Sequence, residues 1–196
     1  ESGGAKLLAG DLCKLSRLMR EEFRPLPLVL LGHSMGSFVA RMAAVSHPEL
    51  YRGLILSGTA GPMPVDAAIK LDEYYIRARG AHYRPKLVQR LAFSSMNRRC
   101  HPHRTRSDWL SRDDAVVDAF LADPLCDFQF TASAFRDLFV MMKAVNSKRW
   151  YHSYPSEMPT LLISGSEDPV GGYGKGVEKV SRQLKHCGVR DLELLL

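Results

Sequence analysis

The sequence predicts an α/β fold in which a mostly parallel sheet is interrupted by a single helical insertion. Three observations carry that prediction. Short apolar runs at residues 28–31 and 54–56 alternate with stretches of helical periodicity, the pattern of strands covered on both faces by helices. Residues 61–157 hold no such run and read only as helices. Strand and helix order then resumes at residue 160. The chain of 196 residues has the length of about one domain.

The first helix follows from Leu8, Leu12, Leu15 and Met19, an apolar stripe of 3.6-residue period ended by Pro25 and Pro27. Leu28-Val29-Leu30-Leu31 comes next, a run of strand length expected to be covered on both faces. Residues 36–47 read as a second helix closed by His47-Pro48, and Leu54-Ile55-Leu56 as a second buried strand. Helices are expected near 67–79, 85–93, 113–121 and 132–145, with prolines at 85, 102, 124 and 155 between them. A strand at 160–164, a helix at 174–187 and a strand at 192–196 complete the chain. The expected organisation is a first core portion over 1–60, a helical cap over 61–157 and a second core portion over 158–196. The sequence has no internal repeat and no low-complexity tract.

Composition narrows the class. Apolar residues make up 45% and charged residues 24%, which excludes wholesale disorder. No apolar stretch approaches the ~18 residues of a membrane span. Cys13, Cys100, Cys126 and Cys187 form no CxxC pair, so reduced thiols and a cytoplasmic setting are expected. The net charge of +6 is concentrated: residues 77–112 carry ten Lys or Arg and one acid, Asp108. Whatever the basic character means, it belongs to that segment.

Gly32-His33-Ser34-Met35-Gly36 matches G-x-S-x-G, and it follows an apolar run and opens a helix. That is the setting of a nucleophile elbow. The serine is expected at the apex of a tight, strained turn, with Gly32 and Gly36 both required because strand and helix approach closely. The helix that follows offers free N–H groups and a positive dipole end, so the N–H of Met35 is the expected oxyanion donor. A serine needs a base, usually a histidine oriented by a carboxylate, and on this architecture the order is Ser, then Asp or Glu, then His. Asp168 follows the predicted strand at 160–164 and is the expected acid, with Glu167 its rival. Beyond it stands only His186, whose neighbours at three, four and seven residues back are Gln183, Arg182 and Lys179. That places His186 toward solvent. The other six histidines precede Asp168, so the base is expected to be absent from residues 1–196.

At these residues the sequence resembles the monoacylglycerol lipase and lysophospholipase branch of the α/β-hydrolase superfamily. The matching stretches are Gly32-His33-Ser34-Met35-Gly36-Ser37, Leu56-Ser57-Gly58-Thr59, Asp123-Pro124-Leu125, and Leu162-Ile163-Ser164-Gly165 with Asp168-Pro169-Val170-Gly171. The likeness runs over essentially the whole chain. It implies an α/β-hydrolase-type sheet, here the C-terminal half of the core, with a helical cap matching residues 61–157. It also implies hydrolysis of an acyl glycerol or lysophospholipid ester through an acyl-enzyme, with Ser34 as nucleophile and Asp168 as triad acid. The family's first strands, which carry the second oxyanion N–H, have no counterpart here. Its histidine stands about 30 or more residues after the acid, past Leu196. The chain is therefore expected to be a piece of a longer protein, cut at both ends.

Other features are expected to be bland. Gly171-Gly172-Tyr173-Gly174-Lys175-Gly176 fits no phosphate-loop pattern and reads as a flexible entry to the next helix. Cys100, His101 and His103 lack a fourth ligand of suitable spacing, so no metal and no cofactor is expected. Arg98 to Arg106 has no interleaved aromatic, which argues against nucleic acid. A small lipid or ester substrate is the expected partner, its pocket lined by His33, Phe93, Phe135 and Phe139, with Phe120, Leu138 and Met142 as further candidates. The cationic face of the cap would attract anionic membrane surfaces at roughly 1 kcal/mol per cation. The competing function class is a non-catalytic binding module of the same fold.

Overall fold

A computed structural model describes residues 3–126 and 128–196 of the chain; Glu1, Ser2 and Asp127 lie outside the described residues. Four strands form one sheet in the order β1 (Val29–His33), β2 (Gly53–Ser57), β3 (Thr160–Ile163) and β4 (Leu192–Leu195), and every pairing is parallel. The predicted parallel α/β architecture is the one observed. Helix α1 (Gly4–Glu22) precedes β1, α2 (Met35–Ser46) joins β1 to β2, and α8 (Lys175–His186) joins β3 to β4. Between β2 and β3 lie α3 (Asp66–Arg79), α4 (Lys86–Phe93), α5 (Asp114–Ala122), α6 (Ala132–Val145) and α7 (Lys148–His152).

The core sits where the apolar runs place it. Leu54, Leu56 and Leu162 of the two central strands have at most 1% exposure. Phe38, Ala40, Ala43 and Ala44 of α2 and Val177, Val180 and Leu184 of α8 close over them. The four cysteines are free. No described helix is long and apolar enough to cross a membrane.

One expectation is corrected. Helix α1 buries Ala5, Ala9, Cys13 and Ser16, while Leu8 and Leu15 are about half exposed. The helix packs on α2, and small side chains allow the closer approach. Among the described strands β1 is an outermost one, with Leu28 and Leu30 packed on the core and Val29 and Leu31 mostly exposed, the exposed apolar run expected where the family's first strands have no counterpart.

The two roots of the helical segment are tied to α2 by one buried cation. Arg41 has no exposed surface. Its guanidinium donates to the carbonyl oxygens of Val145 and Ala60 and to Asn146 Oδ1 at 3.2 Å, and it lies 4.4 Å over the Trp150 ring. Trp150 Nε1 donates back to the Arg41 carbonyl at 3.0 Å. Asn146 Nδ2 donates to the carbonyls of Met142 and Gly61. The chain leaving β2 at Ala60–Gly61 and the chain returning at Val145–Asn146 are thus fastened at one point. Burial pulls the Arg41 guanidinium down to about 10, so it stays charged at neutral pH.

A second buried ionisable group lies further out. Asp72 of α3 has no exposed surface, and neither carboxylate oxygen has a hydrogen-bond partner among the described residues. Burial pushes its carboxyl up to about 7, against the opposing pull of Arg136 on α6. Arg136 is itself paired with Asp137 at 2.7 Å.

Candidate active site

Strand β1 runs directly into the turn at Ser34, and α2 begins at the next residue. Ser34 adopts φ 50° and ψ −123°, a left-handed conformation that costs a non-glycine residue about 1–3 kcal/mol. The surroundings hold it there. Its N–H donates to the Ser57 carbonyl at 2.9 Å, and its carbonyl accepts from the Ser37 N–H at 2.9 Å and from Ser37 Oγ at 2.6 Å. Ser37 Oγ also lies within hydrogen-bond distance of Thr59 Oγ1, at 2.8 Å, where it can accept the Thr59 hydroxyl proton.

Gly32 shows why the turn needs glycine. A Cβ there would stand 2.6 Å from the Gly36 carbonyl oxygen and 2.8 Å from Ala40 Cβ. The matching expectation for Gly36 is corrected, because a Cβ on Gly36 meets nothing within 4 Å. Crowding falls on the strand side of the elbow alone. The N–H of Met35 belongs to the first turn of α2, where amides have no acceptor within the helix.

Sheet register sets the rest of the site. His33, Ser57, Ile163 and Leu195 form one row across β1, β2, β3 and β4. Ser34, Gly58 and the loop after Ile163 therefore leave the sheet at the same C-terminal edge. Asp168 lies in that loop, partly buried. Its Oδ1 accepts from the Val170 N–H at 2.8 Å and its Oδ2 from Ser164 Oγ at 3.3 Å. Glu167, the rival acid, is exposed and paired with Arg99 at 3.4 Å.

His33 and Asp168 both approach Gly58. A Cβ added to Gly58, whose φ is +57°, would be 3.3 Å from His33 Cε1 and 3.4 Å from Asp168 Oδ2. His33 Nδ1 also hydrogen-bonds Ser57 Oγ at 3.0 Å. Sequence reasoning assigned no role to Gly58 or Ser57. The signal available was the Leu56-Ser57-Gly58-Thr59 stretch, but only the β1–β2–β3 order makes it a bridge between elbow and acid.

The glycine-rich loop after Asp168 is corrected from a flexible entry to a close-packed one. A Cβ on Gly61 would sit 2.5 Å from the Gly176 carbonyl oxygen, and one on Gly176 would sit 2.7 Å from that of Gly171. Gly172, Tyr173 and Gly174 all have positive φ. The Tyr173 N–H donates to the Asp168 carbonyl at 2.9 Å.

The remaining candidates lie on helices. Phe93, Phe135 and Phe139 join in one aromatic chain, with ring centroids 6.3 Å and 6.0 Å apart about the fully buried Phe135. Of the further pocket candidates, Leu138 and Met142 pack from α6 against the core and Phe120 lies on α5. His186 is exposed on α8. The basic window is partly neutralised: Arg104 pairs with Asp118 and Asp114, at 2.6 and 3.3 Å. Asp108 accepts hydrogen bonds from the Thr105 hydroxyl and from the Thr105 and Arg104 N–H groups, which hold its carboxyl down at about 2. A groove of about 500 Å³ between α3 and α6 is lined by none of the elbow residues. A hollow of about 150 Å³ lies beside the acid loop between Gly61, Met63, Val170 and Gly172.

A parallel sheet, a serine in a left-handed strand-to-helix turn and an acidic loop two strands away at the same edge define an α/β-hydrolase. Residues 4–194 match the family Hydrolase_4 (serine aminopeptidase, S33), and the chain belongs to it. It is 25% identical over 204 residues to a monoacylglycerol lipase of Mycolicibacterium smegmatis, covering 96% of this chain and 64% of that protein. A thermostable carboxyl esterase from Bacillus coagulans superimposes with a TM-score of 0.87 at 29% identity, over 95% of this chain and 62% of the esterase. A lipase in its open form gives a TM-score of 0.86 at 26% identity, over 97% and 63%. The chain thus spans a little under two thirds of the length of these relatives.

Proposed function

We propose that the protein is a serine hydrolase that cleaves carboxylic esters of lipid-like substrates, monoacylglycerols or lysophospholipids, through an acyl-enzyme. Ser34 is the nucleophile, Asp168 the triad acid and the Met35 N–H one oxyanion donor. The observation that carries this reading is the strained Ser34 at the head of α2, at the sheet edge shared with Asp168. The lipase and esterase relatives support the ester class. In the proposed reaction Ser34 Oγ attacks the ester carbonyl, the alcohol leaves, and water releases the acid. The general base is proposed to come from beyond β4, whose C-terminal end opens on the same edge. The core and the helical cap keep the boundaries 1–60, 61–157 and 158–196 as part of this proposal. In the intact protein, a fluorophosphonate probe is expected to label Ser34, and Ser34→Ala to abolish both labelling and ester turnover. Labelling that persists in Ser34→Ala overturns the nucleophile. No labelling and no turnover in the parent favours the non-catalytic binding module.

A second reading concerns where the substrate comes from. On α4, Leu91 and Leu87 are exposed beside the exposed Lys86 and Arg90, a short amphipathic surface of the kind that lies on anionic lipid. Binding of the intact protein to anionic vesicles is expected to exceed binding to neutral ones and to weaken with salt. Lys86→Glu with Arg90→Glu should remove the difference. Equal binding to both vesicle types sinks this surface role.

A further inference from the structure

One contact joins the helical segment to the acid loop from outside the core. The 3-10 turn Met96–Arg99 is held by Asn97, which donates to the Thr105 carbonyl at 2.6 Å and accepts from the Trp109 N–H at 2.9 Å. From this fixed turn Arg99 reaches 68 positions along the chain. Its Nη1 donates to Glu167 at 3.4 Å, and its guanidinium carbon lies 3.7 Å over the ring of Tyr173.

These two partners flank Asp168. Glu167 immediately precedes it, and Tyr173 closes the loop by donating its N–H to the Asp168 carbonyl. Tyr173 does so at φ 57°, a conformation that a side chain does not favour and that needs outside support. Each half of the grip is weak alone, because Arg99 and Glu167 are both about half exposed. Acting together on both flanks, they set the position of the segment that carries the carboxylate.

We infer that Arg99 is a positioning residue for the reaction at Ser34: it grips Glu167 and Tyr173 and thereby couples the helical segment to the alignment of Asp168. The inference rests on the reading of Asp168 as triad acid and adds a residue from outside the sheet. It makes the segment between β2 and β3 a participant in catalysis, since any displacement of the turn at Met96–Arg99 is felt at the acid.

The test uses the intact protein and two independent readouts. Amide exchange at Val170 and Tyr173 is expected to quicken at least threefold in Arg99→Gln. It should be unchanged in Arg98→Gln, which removes the neighbouring charge. In Arg99→Gln, kcat on a short glyceryl ester should fall three- to tenfold with little change in KM. Arg99→Lys, which keeps a cation for both partners, should recover most of it. Unchanged exchange in Arg99→Gln overturns the grip whatever the activity does. Faster exchange with an unchanged kcat overturns the positioning role. Full turnover in Asp168→Asn is a separate failure: it overturns the acid assignment and the catalytic half of the inference, and leaves the exchange result to judge the grip.

Discussion

Arg41→Ala is expected to lower the stability of the folded chain by about 4 kcal/mol. Stability of a domain is typically only about 5–15 kcal/mol, so the loss would be a large share of the whole. Truncation strips the buried Val145 carbonyl of its side-chain donor and leaves Ala60 and Asn146 Oδ1 with only their weaker remaining donors, Asn146 Nδ2 and the Tyr151 hydroxyl. It also opens a cavity beneath the face of Trp150. Arg41→Lys keeps the charge but reaches fewer of these acceptors, since an ammonium lacks the planar fork. About half the loss is expected there. Urea unfolding followed by Trp fluorescence reads both variants, because Trp150 is in direct contact with the site. An Arg41→Ala midpoint that matches the parent would show that the carbonyls find other partners and that the cation is dispensable.

The second large effect depends on pH. Asp72 ionises near 3.8 in the unfolded chain and near 7 in the folded one, so its folded-state value is raised. Below pH 3.8 both states hold the proton and the ionisation of Asp72 costs nothing. Between about 4 and 7 the folded chain keeps a proton that the unfolded chain has released, and stability falls by up to roughly 1.4 kcal/mol per pH unit. Above 7 the loss is complete. Asp72→Asn cannot ionise and escapes this slope. It is expected to exceed the parent in stability by on the order of 4 kcal/mol at pH 8, with the gap closing by pH 4. Chemical denaturation at the two pH values measures it. Parallel pH dependence in parent and variant would mean that the carboxylate is solvated in the folded state.

Much of this fold could be read from local sequence. Leu54-Ile55-Leu56 and the apolar run ending at Leu31 gave strands because an uninterrupted apolar stretch of that length has few other uses in a parallel sheet. Ser34 was legible because its neighbours on both sides carry the strand and the helix that an elbow joins. Other features depended on packing distance rather than polarity. In α1 the closest contact favours Ala5, Ala9 and Cys13 over Leu8 and Leu15, and hydrophobic periodicity weights the larger residues. Helix α7 is five residues long and starts from a Ser147 cap, too short for any period to register. Arg41, set among alanines and Met42, carries no local sign that it would be buried. The meeting of His33, Gly58 and Asp168 is a property of strand order. Residues 25 and 110 positions from Gly58 become neighbours only when β2 lies between β1 and β3.

The fastening of both roots around Arg41 and Asn146 bears on how long the chain between them can be. Once the exit at Ala60 and the return at Asn146 are bonded to the same helix, the length of chain between them matters little to the sheet, because closure entropy grows only slowly with loop length. Helices there can be lengthened, shortened or exchanged while the scaffold below keeps its shape. Sheet stability and the length of the segment above it are thereby uncoupled, with a handful of polar atoms marking the seam.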